Sequence, residues 1–486
     1  MRRMQCVLLC VFFLLFSLPA LCETRALLVA CSDFVTQPDL GSAISGNLHM
    51  IASVLLGASP SLSDLSIEDG TISSPHALES AVTQAFENAS EADLSILYLC
   101  THGVHSTDDQ QVYLLLGDGE NESLLSGEML YRMLSGIQGD KLLILDACYS
   151  GALLGHDQPN VASDNHAALS AFASPFIADT GMHIMTSASG SESSWYYDSE
   201  GLQNGAVSYF ASALSSGLGL YGTVEADMNG DGLVSLAELH DHLCVSVSSS
   251  SSQLISSRPS DIFMPTARGP MLSRPLAGFS FSGSLLPAFD PTLDFSFTVT
   301  SETAVQYRLI EFENGNWNWE NAQTFMDGDL PLPSGRHSRT LTLPTVTAED
   351  SGYLMLQVFS VSDGELLLCA EKMIAITPSA LQDVLTIDCP DVYAAPGIFE
   401  LPISVSLGVP AEITFTIHSE DGTPVRRLSS SSLTRPSDDH ALRLYWDGRD
   451  AKGSVVPEGM YTLTAETLSG FRLIKAEKTL LVTAGE

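Results

Sequence analysis

The chain of 486 residues is long enough for about three domains of ordinary size. Hydrophobic residues make up 45% of it, so packed domains are expected rather than disorder. Its formal net charge of −37 argues against nucleic acid or an anionic membrane surface as a partner, because both are polyanions.

The amino terminus has the pattern of a secretory signal peptide. Two arginines open the chain, an apolar run extends from Cys6 to Phe16, and small residues precede Glu23. Cleavage near Cys22 would leave 19 basic against 58 acidic residues, a formal charge of −39. We therefore expect residues 1–22 to be removed and the mature protein to be secreted, periplasmic or at the cell surface. No later segment has about 18 consecutive apolar residues, so no transmembrane segment is expected in the mature chain.

From about residue 25 to residue 266, apolar strands alternate with amphipathic helices. Near-continuous apolar strands separated by helices predict an α/β domain with a mostly parallel, buried sheet flanked by helices. The Ser- and Pro-rich stretch Ser248–Pro275 then predicts a linker. The predicted strands are Ala26–Cys31, Leu94–Cys100, Val112–Leu116, Lys141–Asp146 and Met182–Thr186, and the predicted helices are Gly41–Leu56, Ala77–Asn88, Gly127–Leu134, Ala206–Leu214 and Leu236–Val247.

Two of these strands lead into residues suited to nucleophilic catalysis. The strand Leu94–Cys100 is followed by His102 and Gly103, and the strand Lys141–Asp146 is followed by Cys148. Because the carboxyl ends of parallel strands share one edge of a sheet, we expect the thiol and the imidazole to meet there. An imidazole raises the thiolate fraction and later protonates the leaving amine. The amides of Gly103 and Cys148 are the expected donors to the oxyanion.

Around these motifs the sequence resembles the caspase-like superfamily of cysteine peptidases, which includes metacaspases and clostripain-like enzymes. The resemblance covers roughly residues 24–270, including a first strand at Ala26–Phe34, a first helix at Leu40–Leu55 and the segment Thr186–Trp195. It implies a cysteine-type endopeptidase that acts on protein or peptide substrates. Cys148 would be its nucleophile and His102 its base.

The departures from true caspases indicate a different specificity. Caspases carry a glutamine where this chain has Asp146, and a pocket arginine where it has Tyr196. No Lys or Arg occurs between Lys141 and Arg258, so one main source of guanidinium groups for an acidic P1 side chain is missing. We expect Asp146 and Trp195 to contribute to substrate binding and cleavage to follow Arg or Lys. The alternative is that Asp146 is only a hydrogen-bond acceptor at the end of its strand.

The segment 227–238 fits the calcium-loop template of an EF-hand. Side-chain oxygens occur at template positions 1, 3, 5 and 9, a glycine at 6, a carbonyl at 7 and a glutamate at 12. The alternative is an acidic turn that caps a helix. Because the loop lies inside the peptidase-like domain, we expect calcium to support the fold, and we expect no organic cofactor. The predicted ligands are Asp227, Asn229, Asp231, the carbonyl of Leu233, Ser235 and Glu238.

After residue 270 the apolar residues alternate with a period of two, which predicts two Ig-like β-sandwiches at 271–378 and 379–486. Gly352 and Tyr353 resemble the tyrosine corner of immunoglobulin-like domains. The last module, around Trp446, Gly448 and Tyr461, is similar to the Ig-like module of the flagellar hook-capping protein. No residues there have catalytic spacing, so a spacer or a module for cell-surface contact is expected.

Three functions therefore remain open. The leading one is an exported, calcium-supported cysteine endopeptidase. The second is a non-catalytic surface-binding protein with a pseudo-protease head, and the third is a transpeptidase that uses the same dyad. The presence of both Cys148 and His102 favours an enzyme over the second possibility. Whether Cys369 and Cys389 form a disulfide is left open.

Overall fold

A computed structural model of the chain describes residues 23–106, 112–148, 150, 181–188, 193–196, 207–247, 250, 252–256, 258–272, 274–288, 291–313, 316–318, 321–343, 352–362, 365–377, 384–395, 401–434, 440–451, 454–469 and 472–484. The chain divides into two compact units. The first unit extends to Met271 and the second begins at Leu272.

A six-stranded sheet forms the centre of the first unit. Its strands are β1 (Thr24–Ala30), β3 (Asp64–Asp69), β4 (Leu94–Cys100), β8 (Asp140–Asp146), β9 (Met182–Thr186) and β11 (Gln253–Ile255). Their order across the sheet is β11-β9-β8-β4-β1-β3. Every pairing is parallel except that of β11 with β9, so the predicted mostly parallel sheet is confirmed.

Five helices accompany this sheet: α1 (Ser42–Leu56), α2 (Pro75–Phe86), α3 (Gly127–Ser135), α4 (Tyr209–Gly217) and α5 (Leu236–Ser246). All residues of β1, β4 and β9 are buried, which explains why these strands are apolar without alternation. Serine hydroxyls accept a backbone N–H at the start of four helices and so satisfy donors left unpaired by the helical pattern. The predicted strands and helices agree with the structure to within about three residues at each end.

The predicted strand Val112–Leu116 exists but belongs to another sheet. It forms β6 (Val112–Gly117) between β5 (His102–His105) and β7 (Glu122–Leu125), and both of its pairings are antiparallel. The first strand of this small sheet follows β4 almost directly, because only Thr101 separates β4 from β5. β3, an edge strand whose residues are all exposed or half-buried, was not predicted from the sequence.

The expectation that Ser248–Pro275 is a linker is wrong. Within it, β11 is the antiparallel edge of the central sheet, β12 (Phe263–Met264) pairs with β10 (Val234–Ser235), and β13 (Thr266–Ala267) pairs with β2 (Ala58–Ser59). Two- and three-residue strands in a Ser-rich run carry too few apolar residues to show a period. Their backbone hydrogen bonds nevertheless make this stretch part of the folded first unit.

The second unit is built entirely of strands among its described residues. The first set is β14 (Leu276–Phe281), β15 (Leu285–Pro287), β16 (Thr292–Val299), β17 (Ala304–Glu313), β18 (Asn316–Trp317), β19 (Gln323–Met326), β20 (Gly335–Thr342), β21 (Gly352–Ser362) and β22 (Glu365–Thr377). One sheet has the order β14-β16-β20, and the other has the order β15-β22-β21-β17-β18. β19 also pairs with β17 in the second sheet. Buried residues from both sheets form one apolar core.

The second set forms a separate core. Its strands are β23 (Thr386–Asp388), β24 (Val392–Ala395), β25 (Leu401–Ser406), β26 (Glu412–Ser419), β27 (Pro424–Leu433), β28 (Ala441–Trp446), β29 (Gly459–Ser469) and β30 (Arg472–Ala484). Its sheets have the orders β23-β25-β28 and β24-β30-β29-β26-β27. Trp446 and Tyr461 lie in this core, as the sequence predicts. The immunoglobulin-like assignment of both sandwiches stays a prediction.

Tyr353 contacts the other sandwich of the same unit, because its hydroxyl lies 2.9 Å from Thr434 Oγ1 and its ring stacks on His440. Its resemblance to a tyrosine corner stays a prediction. Cys369 and Cys389 lie in or against different cores. The cysteines of the described residues are all free thiols: Cys31, Cys100, Cys148, Cys244, Cys369 and Cys389.

Candidate active site

His102 and Cys148 lie just beyond the ends of two neighbouring strands. β4 and β8 pair in parallel, with Cys100 opposite Asp146 at their carboxyl ends. The register continues one step further, because the amide of Thr101 donates to the carbonyl of Asp146 at 3.3 Å. Each candidate catalytic residue is therefore two positions past the end of its strand, at the same edge of the sheet.

Gly103 lies directly against the main chain of the nucleophile. A Cβ atom placed on Gly103 would overlap the carbonyl oxygen of Cys148. Glycine is thus the residue that lets these two segments come so close. The amides predicted to stabilise an oxyanion belong to these two touching segments, although their orientation toward a substrate stays a prediction.

The imidazole of His102 is oriented by a backbone carbonyl. Its Nε2 lies 2.8 Å from the carbonyl oxygen of Pro38, and its ring centroid is 4.8 Å from that of Phe34. A carbonyl can only accept a hydrogen bond, so Nε2 is the donor, and in a neutral imidazole the lone pair is then on Nδ1. The amide of Phe34 in turn donates to Asp39 Oδ1 at 2.9 Å, which holds this loop. Pro38 was not predicted from the sequence, because it acts through its backbone carbonyl oxygen, and every residue has one.

The thiol of Cys148 is held in its protonated form. Its Sγ donates to the carbonyl oxygen of Ser194 at 3.6 Å. Burial raises the pKa of the Cys148 thiol, and its interactions with the Ser194 backbone and the Ser193 side chain offset only part of that rise. A thiol in this state needs a base at neutral pH before it can act as a nucleophile.

Asp146 is the centre of a buried hydrogen-bond cluster. It is only 3% exposed. Its Oδ2 accepts from Tyr98 at 2.8 Å, Ser208 at 2.5 Å and Asn47 at 3.3 Å, whereas Oδ1 accepts from Ser194 at 3.1 Å. Burial raises the pKa of this carboxyl, while the hydrogen bonds from Ser208, Tyr98 and Ser194 act in the opposite direction. Asp146 and Cys148 therefore share one neighbour, Ser194.

Trp195, the other predicted substrate-binding residue, is half-buried beside the start of α4. Its carbonyl accepts from the amide of Tyr209 at 3.1 Å, and the next residue, Tyr196, forms a β-bridge with Ser208. The amide of Ser208 donates to Asn47 Oδ1 at 2.7 Å. The segment that carries Ser194 and Trp195 is thus fixed by the first turn of α4.

The predicted calcium loop has the backbone expected of its template. Gly232 at template position 6 has a φ of 84°, and Asp227 accepts the amides of Gly230 and Gly232 at 2.8 and 3.0 Å. Ser235 and Glu238 form a capping box at the start of α5. One oxygen of Glu238, Oε1, is buried without a hydrogen-bond partner. The donor set is all oxygen, as calcium requires, and the unpaired Oε1 fits a ligand at position 12.

The charged side chains of the loop 227–238 do not form a preassembled metal site. Among the residues that the structure describes, no three His, Cys, Asp or Glu side chains form a group able to hold a metal ion. Three of the six predicted ligands are of other types, namely the Asn229 amide, the Leu233 carbonyl and the Ser235 hydroxyl.

Comparison with known families gives one match in this part of the chain. A family described as "CHAT domain", which has a caspase-like fold, matches residues 15–173. The matched segment contains both His102 and Cys148. The match supports a caspase-like first domain. No curated protein matches the chain.

Several solved structures are similar to parts of the chain. Caspase-1 from Spodoptera frugiperda is 12% identical with a TM-score of 0.33, over 52% of this chain and 95% of that one. The CupB2 chaperone of Pseudomonas aeruginosa is 10% identical with a TM-score of 0.24, over 41% and 97%. Red sea bream transglutaminase is 14% identical with a TM-score of 0.16, over 44% and 32%.

No helix among the described residues has the length and apolarity that a membrane span needs.

Proposed function

We propose that this chain is a cysteine endopeptidase with Cys148 as nucleophile and His102 as base. The observation that carries the proposal is the pairing of β4 with β8, which brings both residues to one edge with Gly103 against Cys148. The Pro38 carbonyl holds the Nε2 proton, which leaves Nδ1 to accept the thiol proton. The thiolate then attacks the substrate carbonyl, and the imidazolium protonates the leaving amine. Water hydrolyses the acyl-enzyme.

The specificity we propose is for arginine or lysine at P1. Asp146 lies two residues before the proposed nucleophile, and its Oδ1 accepts a hydrogen bond from the hydroxyl of Ser194. A P1 guanidinium would take the place of that hydroxyl and form a charge-assisted hydrogen bond with Oδ1. Trp195, next to Ser194, would cover the side of the same pocket. The rival explanation, a purely structural Asp146, is supported by the three donors on Oδ2.

Two variants separate these roles of Asp146. Asp146→Asn removes the charge, whereas Ser208→Ala removes a donor from the same cluster and leaves the charge in place. A binding role predicts that Asp146→Asn lowers kcat/KM for P1 Arg substrates about 100-fold, while Ser208→Ala keeps the P1 preference. If both variants lower the melting temperature and slow all substrates equally, Asp146 is structural.

We also propose that the protein is exported and that calcium supports its first unit. The proposal of export rests on the amino-terminal sequence pattern, and that of calcium rests on the loop 227–238 with its unpaired Glu238 oxygen. Asp227, Asn229, Asp231, Ser235 and Glu238 would hold the ion with the Leu233 carbonyl. Bound calcium would neutralise part of the loop's charge and fix the start of α5.

The decisive experiment is a panel of fluorogenic peptides that differ only at P1. The wild-type protein should cleave after Arg or Lys, and Cys148→Ala and His102→Ala should each lose several orders of magnitude in kcat. Covalent labelling of Cys148 by a peptidyl-arginine electrophile gives a second readout. Activity that survives in Cys148→Ala would overturn the proposed function, and intact folding with no activity in the wild type would favour a pseudo-protease.

A further inference from the structure

A buried ion-pair cluster lies at the other end of the central sheet, around Asp93. Asp93 is 3% exposed and immediately precedes β4. Its Oδ1 accepts from the backbone N of Glu23 at 2.9 Å, and its Oδ2 accepts from Arg25 Nη1 at 2.8 Å and from the amide of Ser90 at 2.9 Å. Arg25 also donates to the carboxylate of Glu23 at 2.5 Å.

The charges of this cluster do not balance while Glu23 is inside the chain. Burial raises the pKa of Asp93, but hydrogen bonds from Glu23, Ser90 and Arg25 outweigh it and lower the pKa overall. Asp93 is therefore ionised at neutral pH. Two carboxylates, those of Asp93 and Glu23, then share the single guanidinium of Arg25. The cluster is one positive charge short, with the side chains of Asp93 and Arg25 buried and that of Glu23 49% exposed.

Glu23 is also the residue that would follow the predicted cleavage point. Hydrolysis of the Cys22–Glu23 bond by a leader-removing endopeptidase consumes one water and gives a carboxylate on Cys22 and an ammonium on Glu23. We propose that Asp93 is the binding site for this new α-ammonium group of Glu23. The cluster then holds two positive and two negative charges, and a neutral amide donor becomes a charge-assisted one. This inference rests on the proposed removal of the leader.

The position of the cluster gives this contact a structural consequence. The amide of Leu94 donates to the carbonyl of Glu23 at 2.9 Å, and the amide of Asp140 donates to the carbonyl of Asp93 at 2.8 Å. The cluster therefore joins the amino ends of β1, β4 and β8. Two of these strands lead to His102 and Cys148, so the mature amino terminus stabilises the strands that carry the proposed dyad.

The test compares mature proteins that differ only at the amino terminus. One begins with Glu23 and the other carries a single extra glycine before it, both released from a cleavable carrier as the otherwise full mature chain. We expect the extension to lower the melting temperature of the first unit by roughly 2–4 °C. Asp93→Asn should remove this difference. Equal melting temperatures, or a difference that persists in Asp93→Asn, would overturn the proposal.

A second measurement needs no substitution in the cluster. Pairing with Asp93 raises the pKa of the α-ammonium above its usual value of about 7.7–8.0, so its contribution is present below that pH and is lost as the pH rises through the raised pKa. The flanking charges are Asp64, opposite Arg25, and Asp140 and Lys141 on β8. They are the same in both proteins. The difference in melting temperature should be present at about pH 7 and absent at about pH 9.5.

The proposed leader removal is tested separately. Terminal sequencing of the protein exported from a bacterial host should give Glu23 as the first residue. A different first residue would refute cleavage at this bond, whereas the two recombinant proteins would still show whether Asp93 binds an ammonium group. The two failures are thus distinguishable.

Discussion

The thiol of Cys148 is the proposed nucleophile, and its surroundings favour the protonated form. Burial raises its pKa, and the thiol donates a hydrogen bond to the carbonyl of Ser194. In the proposed mechanism, the thiolate therefore forms only when His102 takes the proton. This arrangement protects a nucleophile that would otherwise react without a substrate.

The first prediction follows from that raised pKa. The rate of iodoacetamide labelling at Cys148, measured by peptide mass spectrometry, should reach its midpoint above the usual value of about 8.5 for a cysteine. The exposed Cys244 of the same protein is the internal reference, and it should be labelled before Cys148 at neutral pH because it is accessible. A midpoint for Cys148 below about 7 would contradict the description and indicate a preformed thiolate–imidazolium pair.

The second prediction concerns Gly103. In Gly103→Ala the new Cβ overlaps the carbonyl oxygen of Cys148, so β5 and the nucleophile have to separate. Loss of one oxyanion donor costs about 100-fold or more in kcat, and we expect at least that loss. Gly136→Ala is the matched control, since its φ is −78° and a Cβ there has no neighbour within 4 Å. It should keep full activity, and an active Gly103→Ala enzyme would mean that the close contact is not needed.

The residues of the proposed dyad could be selected from the sequence, but their surroundings could not. His102 and Cys148 could be predicted because apolar strands lead directly into them. Pro38 could not, because it acts through its carbonyl oxygen and its loop has no apolar period. The cluster around Asp146 draws Asn47, Tyr98, Ser194 and Ser208 from four distant parts of the chain, and no local pattern links them.

Among the secondary-structure elements, α4 and α5 connect the proposed calcium loop with the site. Ser208, which caps α4, donates to Asp146, and His242 on α5 has its Nε2 3.1 Å from the carbonyl of Ala213 on α4. The loop 227–238 supplies the first turn of α5 through Ser235 and Glu238. Calcium there would stabilise the helix against which α4 packs.

The third prediction is a calcium-dependent melting temperature. A ligand present at about 100 times its Kd stabilises the native state by about 2.7 kcal/mol, so millimolar calcium should raise the melting temperature by several degrees over chelator. Asp231→Ala should abolish this rise, whereas Asp261→Ala, an exposed aspartate outside the loop, should retain it. The same melting temperature in calcium and in chelator would show that the loop is only a helix cap.

The elements that the sequence failed to predict share a physical cause. β3 lies at the sheet edge and is largely exposed or half-buried, so it shows no apolar run. β11 has three residues, and its burial comes from pairing with β9 rather than from its own composition. In contrast, β4 and β9 were predicted to the residue because they are buried along their whole length.

At the scale of the whole molecule, the extent of the first unit decides where the chain can be cut. No Lys or Arg occurs from Leu142 to Ser257, so an enzyme that requires a basic P1 residue has no site there. A linker at Ser248–Pro275 would leave Arg268–Gly269 as its best site for such a cut, because Arg258 and Arg274 each precede a proline. The structure changes that expectation, because the amide of Arg268 donates to the carbonyl of Gly57 and that of Ala267 to Leu218.

The last prediction is therefore that the native protein stays in one piece. A peptidase must draw several residues of its substrate into an extended conformation, and here that would break the pairing of β13 with β2. Arg258 is ion-paired with Asp140 and precedes Pro259, so it offers no better cleavage site.

Mass spectrometry should show the Arg268–Gly269 bond intact after prolonged incubation of the purified protein and after limited digestion with trypsin. Trypsin should cut that bond once the protein is unfolded in urea, which shows that folding protects it. A cut there in the native protein would mean that the segment opens readily, and a self-inflicted cut between Leu142 and Ser257, absent in Cys148→Ala, would refute the basic P1 specificity.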